Sequence, residues 1–157
     1  MDLKLEVIIL PVSDVDRAKS FYEAAGFRMD IDVTANEDYR VVQFTPPGSE
    51  CAIILGKGVT SAAPGSTQGL YLIVYDIEVA RAELVGRGID VSELFHDAEG
   101  IFAHSHDGGK IVYPAGNKGQ VVGPHPTRAD YGTYASFSDP DGNGWVLQEV
   151  KQRAPGR

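Results

Sequence analysis

The chain carries one segment twice, and this repeat limits its possible folds more than any other feature. Val12-Ser13-Asp14-Val15-Asp16-Arg17-Ala18 matches Val74-Tyr75-Asp76-Ile77-Glu78-Val79-Ala80, and Gly26-Phe27 matches Gly88-Ile89, every pair 62 positions apart. Each copy reads as a strand, a capped helix and a turn. Leu5 to Leu10 and Leu70 to Val74 are apolar runs of strand length. Asp14 and Asp76 stand where a carboxylate can accept from the free N–H groups of a helix start. Ala18, Phe21, Tyr22 and Ala25 then recur at the spacing of one helix face, and Ala80 and Leu84 begin a similar stripe. Gly26 and Gly88 end both helices, where a left-handed residue is favoured.

Three strands are expected after the first helix, over Phe27–Val33, Tyr39–Thr45 and Cys51–Leu55, with Pro46-Pro47-Gly48 turning into the last. The second copy should close on a strand over Trp145–Val150, after the turn sequence Asp139-Pro140-Asp141-Gly142-Asn143-Gly144. Gly48 and Gly142 are 94 positions apart rather than 62, so the second copy carries about 32 extra residues between Phe95 and Tyr134. The expected organisation is a single domain over 1–157. Its first module spans 1–58, its linker 59–68, its second module 69–150 with an insertion near 95–132, and its tail 151–157.

A length of 157 residues, 43% of them hydrophobic, suits one such domain. A net charge of −8 argues against nucleic acid, whose binding needs a basic surface, and against an anionic membrane. Cys51 is the single cysteine, so no intrachain disulfide can form. The apolar start is cut short by Pro11, too early for a membrane helix, and lacks a basic leader. These features lead to the expectation of a cytoplasmic protein.

The opening run from Leu10 to Ala18, then Phe21-Tyr22 and Gly26-Phe27, resembles the start of the glyoxalase / bleomycin-resistance / extradiol dioxygenase (vicinal oxygen chelate) superfamily. The closing run Phe137-Ser138-Asp139-Pro140-Asp141-Gly142-Asn143-Gly144-Trp145-Val146-Leu147-Gln148-Glu149 resembles its end. The resemblance implies an α+β fold of two βαβββ modules, forming curved mixed sheets around a cup-shaped cleft. It also implies a homodimer. In metal-dependent members four strand positions supply the ligands, and here these fall on Val7, Leu55, Gly69 and Glu149. Only Glu149 has a donor, where a divalent ion normally needs about three, so no cofactor and no metal are expected there.

Side chains on a strand alternate faces. If Glu149 faces the cup, so do Leu147 and Trp145; Val7 travels with Ile9, Leu55 with Ile53 and Cys51, and Gly69 with Tyr71 and Ile73. The expected cleft is apolar and aromatic with one carboxylate, as in small-molecule pockets; the alternative is that these residues are plain core. Glu149 would have a raised pKa there and act as an acid or base or anchor a cationic group, unless an arginine such as Arg40 pairs with it. Arg128, Tyr131 and Tyr134, from a loop over the mouth, would meet the ligand.

All four histidines, His96, His104, His106 and His125, lie in or beside the insertion. His104 and His106 would share a face on a strand and could take a metal with a nearby carboxylate. In a Gly- and Asp-rich loop they are otherwise expected to be solvated. Two readings of function remain open. One is a binding protein for an apolar or aromatic small molecule, serving toxin or antibiotic sequestration. The other is a lyase, isomerase or dioxygenase using Glu149 as acid/base or a non-standard metal site.

Overall fold

The structure is a computed structural model, and residues 1–156 are described. Two compact units divide the chain: Met1–Thr67 with Asp139–Asn143, and Gln68–Ser138 with Gly144–Arg157. Both follow the repeat.

In the first unit, β1 (Val7–Ile9), α1 (Val15–Ala24), β2 (Arg28–Asn36), β3 (Tyr39–Thr45) and β4 (Ala52–Lys57) form one βαβββ module. The sheet order is β1-β4-β3-β2, with β1 and β4 parallel and the other pairs antiparallel. Asp14 caps α1 from an extended backbone, its carboxylate accepting the Arg17 N–H at 2.9 Å. Ala18 and Tyr22 form the buried stripe of the helix and meet a sheet face built from Leu10, Val42, Phe44, Ile53 and Leu55, all buried. Tyr22 also packs on Phe27 and Phe44. Its hydroxyl donates to Asp139 at 3.0 Å, so a buried phenol finds the partner it requires. The Asp139 carboxylate accepts as well from the N–H groups of Asp141 and Asn143. Those bonds fold the Asp-Pro-Asp-Gly turn onto itself. On the same face Arg40 holds Asp32 through two bonds of 2.9 Å, and Lys19 adds a third at 2.7 Å. The guanidinium, then the ammonium, hold the Asp32 carboxyl well below the usual range.

The second unit repeats the plan with β5 (Leu70–Val74), α2 (Ile77–Gly86), β6 (Phe95–Asp97), β10 (Tyr134–Ser138) and β11 (Gly144–Glu149). Its order β5-β11-β10-β6 reproduces that of the first sheet. Asp76 caps α2 as Asp14 caps α1, accepting the Val79 N–H at 3.1 Å from nearly the same backbone angles. The insertion lies between β6 and β10. It is not the structureless loop its composition suggests: β9 (Gln120–Val122) extends the sheet beyond β6, and β7 (Ser105–Asp107) with β8 (Lys110–Val112) makes a separate hairpin. Gly108 and Gly109, at φ 52° and 78°, supply the positive angles its two-residue turn requires. No helix among the described residues is long and apolar enough to cross a membrane.

Candidate functional site

Strand register decides which residues can meet a ligand. In the second sheet Trp145, Leu147 and Glu149 stand opposite Leu70, Leu72 and Val74 of β5, whereas Val146 and Gln148 stand opposite Tyr71 and Ile73. Trp145, Leu147 and Glu149 therefore share the face that carries α2. The open face holds Tyr71, Ile73, Phe95, Tyr134, Ser136, Val146 and Gln148. The first sheet behaves alike. Val7 and Ile9 pair with Ala52 and Ile54, so Ile53 and Leu55 point to the helix side, exposed only 2% and 0%. The expected grouping was thus one residue out of phase on both closing strands. Val7, Ile9 and Tyr71 lie on the open faces of their sheets, Ile53, Leu55, Trp145, Leu147 and Glu149 lie on the helix faces, and Tyr134, expected in a loop over the mouth, stands on β10. Trp145 stacks instead on Phe137, 6.1 Å away and nearly parallel.

Glu149 is buried and fully engaged. Arg128 donates to both its oxygens, Nε to Oε1 at 3.0 Å and Nη2 to Oε2 at 2.7 Å. The Ile77 N–H, in the first turn of α2, donates to Oε2 at 3.2 Å. The carboxylate thus meets both a guanidinium and a helix start, where negative charge is favoured. Its arginine is Arg128 rather than Arg40, and Arg128 reaches it from a left-handed backbone at φ 51°. This geometry makes Glu149 and Arg128 a brace between loop, helix and sheet, on the side away from the open face. Cys51 is half-buried, and burial raises its thiol pKa, which keeps it protonated.

The open face of the second sheet carries the unexpected chemistry. His104 and Asp97 have fully buried side chains, joined by His104 Nδ1 and Asp97 Oδ2 at 2.7 Å. Asp97 also accepts from the Tyr113 hydroxyl at 2.8 Å and the Ala103 N–H at 3.0 Å. On the other side of the imidazole, His104 Nε2 lies 2.9 Å from the Tyr71 hydroxyl, and His106 Nε2 lies 3.0 Å from that same hydroxyl. With Asp97 as a carboxylate, His104 donates through Nδ1 and accepts the Tyr71 proton at Nε2, and His106 donates through Nε2–H. His104 and His106, expected to be solvated, are thus part of a polar chain in which the His104 side chain is fully buried and His106 half-buried. Burial, then the charge of Asp97, pushes the Tyr71 phenol up to about 12. Burial, then His104, pulls His106 below its ordinary value. The His106 ring sits over Gly69, where a Cβ would come within 3.1 Å of it at a backbone φ of 71°. Only glycine suits that place.

Tyr134 packs edge-on against His104, ring centres 5.0 Å apart, and lies against Phe95. It is wholly buried, and its hydroxyl makes no hydrogen bond of good geometry among the described residues, the Phe102 backbone and the Gln148 side chain being the polar groups beside it. Phe95, Tyr134 and Val146 form an apolar cluster with Tyr71 and Ile111 packed on it. From this cluster opens a cavity of about 340 Å³, walled by Leu94, Phe95, Ile111 and Val122, with Glu93 and Lys110 among its polar lining. His96 and His125 form a separate pair, 5.9 Å between ring centres, with His96 Nδ1 bonded to the Gly123 carbonyl. No group of three or more His, Cys, Asp or Glu side chains among the described residues is placed to hold a metal ion.

Comparison with known proteins agrees with this architecture. No sequence among the curated proteins matches the chain. Among solved structures it is similar to TnmS3, an antibiotic binding protein from Streptomyces sp. CB03234, at 29% identity and a TM-score of 0.63, covering 95% of this chain and 97% of that one. A glyoxalase/bleomycin resistance protein from the same organism is also 29% identical, with a TM-score of 0.60 and coverage of 93% and 100%. A superfamily member from Sphaerobacter thermophilus DSM 20745 is 25% identical, with a TM-score of 0.62 and coverage of 94% and 98%. The family profile described as Glyoxalase/Bleomycin resistance protein/Dioxygenase superfamily matches residues 4–147, and with the repeated βαβββ plan this places the chain in that superfamily.

Proposed function

We propose that the protein binds an apolar or aromatic small molecule on the open face of its second sheet, and that it serves sequestration of a toxin or antibiotic. The observation that carries this reading is the cavity beside Phe95 and Ile111. Its volume of about 340 Å³ falls within the range of small-molecule sites, and its lining joins the apolar Leu94, Phe95, Ile111 and Val122 to the polar Ser92, Glu93, Lys110, Gln120 and Ser136. The similarity to an antibiotic binding protein supports the same reading. The positions of Val7, Leu55, Gly69 and Glu149, with one carboxylate already committed to Arg128, favour binding over the metal chemistry of other superfamily members. Val122 tests the site, because it lines the cavity yet is 75% exposed and its change leaves the core alone. In a fluorescence screen of planar aromatic compounds, Val122→Glu should weaken the best ligand about tenfold. That factor corresponds to ~1.4 kcal/mol, the scale expected when a charge takes the place of an apolar side chain against the ligand. Unchanged affinity would place the ligand elsewhere.

The functional form in this reading is a cytoplasmic homodimer. The open face of the first sheet leaves Val7 and Ile9 on one edge strand, and Ile31 and Val33 on the other, between 36% and 56% exposed, and exposed apolar side chains gathered on one sheet face mark an association surface. A two-fold dimer is the commonest way to cover one. Light scattering should give twice the chain mass for the native protein and the chain mass for Val33→Lys. A native monomer at micromolar concentration would end the dimer proposal.

A further inference from the structure

We propose that Tyr71 Oη, His104 Nε2 and His106 Nε2 bind a divalent transition-metal ion, with Asp97 orienting His104 from behind. The first support is convergence. Two imidazole nitrogens from the insertion point at one phenol oxygen on β5, at 2.9 and 3.0 Å. Two ligands at the ~2.0–2.1 Å bond lengths of tetrahedral zinc lie roughly 3.3 Å apart, so the phenol oxygen and each nitrogen would separate by about 0.3–0.4 Å, and both rings would turn to aim their lone pairs at the ion instead of at the oxygen.

The second support is the arrangement behind the donors. A metal-bound histidine almost always donates its other ring N–H to a carboxylate or carbonyl, which fixes the tautomer and raises ligand basicity. His104 does so to Asp97, and the Tyr113 hydroxyl and Ala103 N–H fix that carboxylate in turn. Both side chains of the His104–Asp97 pair are wholly buried.

Binding balances in charge and protons. The ion displaces the Tyr71 proton to solvent and takes the phenolate. His106 moves its proton from Nε2 to Nδ1, which frees the Nε2 lone pair. Two neutral imidazoles, one phenolate and the Asp97 carboxylate then offset a dication inside the sheet. Imidazole with an anionic oxygen suits zinc, copper or iron better than magnesium or calcium. None of the four strand positions Val7, Leu55, Gly69 and Glu149 takes part.

The experiment uses the full chain without an affinity tag, equilibrated with zinc chloride and analysed for metal, then loaded with copper(II) for absorption spectra. One zinc per chain is expected at micromolar concentration, and copper should give a phenolate charge-transfer band in the visible. Tyr71→Phe should abolish the band, and His106→Ala should remove stoichiometric zinc. Asp97→Asn should weaken zinc by about 10–100-fold. His96→Ala and His125→Ala should leave binding unchanged. Native protein that retains no zinc, or Tyr71→Phe and His106→Ala that retain it like the native chain, would overturn the proposal. Tyr71→Phe conserves shape, so the loss of the band is readable even if the histidine variant folds poorly.

Discussion

Replacing Arg128 by alanine is expected to cost about 2–4 kcal/mol of folding stability, out of proportion to its place in a surface loop. The cause is the group left behind. Glu149 is 2% exposed, and Arg128 supplies two of its charge-assisted bonds. Severing a buried ion pair from one side costs about 3–5 kcal/mol, because the remaining charge stays buried without its partner. The figure is reduced here because the guanidinium is itself 32% exposed and the Ile77 N–H still reaches the carboxylate. Arg128→Gly separates a second effect. The residue sits at φ 51°, where glycine rests without strain, so glycine should be less damaging than alanine by about 0.5–1 kcal/mol. Urea denaturation of both variants checks the pair of values. Equal stability of native protein and Arg128→Ala would show that the ion pair contributes nothing net.

What could be seen in the sequence and what could not divide along physical lines. The repeat, both aspartate caps and the glycine stops are local features, and each is found in place: Asp14 and Asp76 cap their helices through the same atom and the same residue spacing. The phase of the closing strands was not visible. All six residues of β11 are buried, so the strand shows no apolar-polar alternation to mark which face is which. A slip of one residue turns every side chain over, and choosing the lone carboxylate as the cleft residue made that slip. The polar chain was hidden for another reason. Tyr71 and the histidines it meets lie 33 and 35 positions apart, beyond any helical or strand period. The one local hint was the alternation of His104 and His106, which a Gly-rich setting made look solvated.

Asp97→Ala should release the insertion from the sheet and cost about 3–5 kcal/mol. Three donors end on this one carboxylate: the Tyr113 hydroxyl, His104 Nδ1 and the Ala103 N–H. Each is a bond to a charged acceptor, worth about 1.5–3 kcal/mol, and removing the acceptor leaves buried donors unpaired. The deletion also opens a void at a site where both partner side chains are fully buried. The loss should be local before it is global, because β7 and β8 pair only with each other while β6 and β9 join the main sheet. Elements with little packing around them open at lower free energy than the whole domain. Hydrogen exchange should then rise first across residues 98–119, with the α2 amides still protected, and limited proteolysis should cut near Gly108 or Gly116. Asp97→Asn keeps the shape and loses the charge, so it should fall between alanine and the native chain. If Asp97→Ala exchanges like the native protein across the insertion, the carboxylate does not anchor it, and the hairpin must be held by the packing of Ile111 on the Phe95, Tyr134 and Val146 cluster alone.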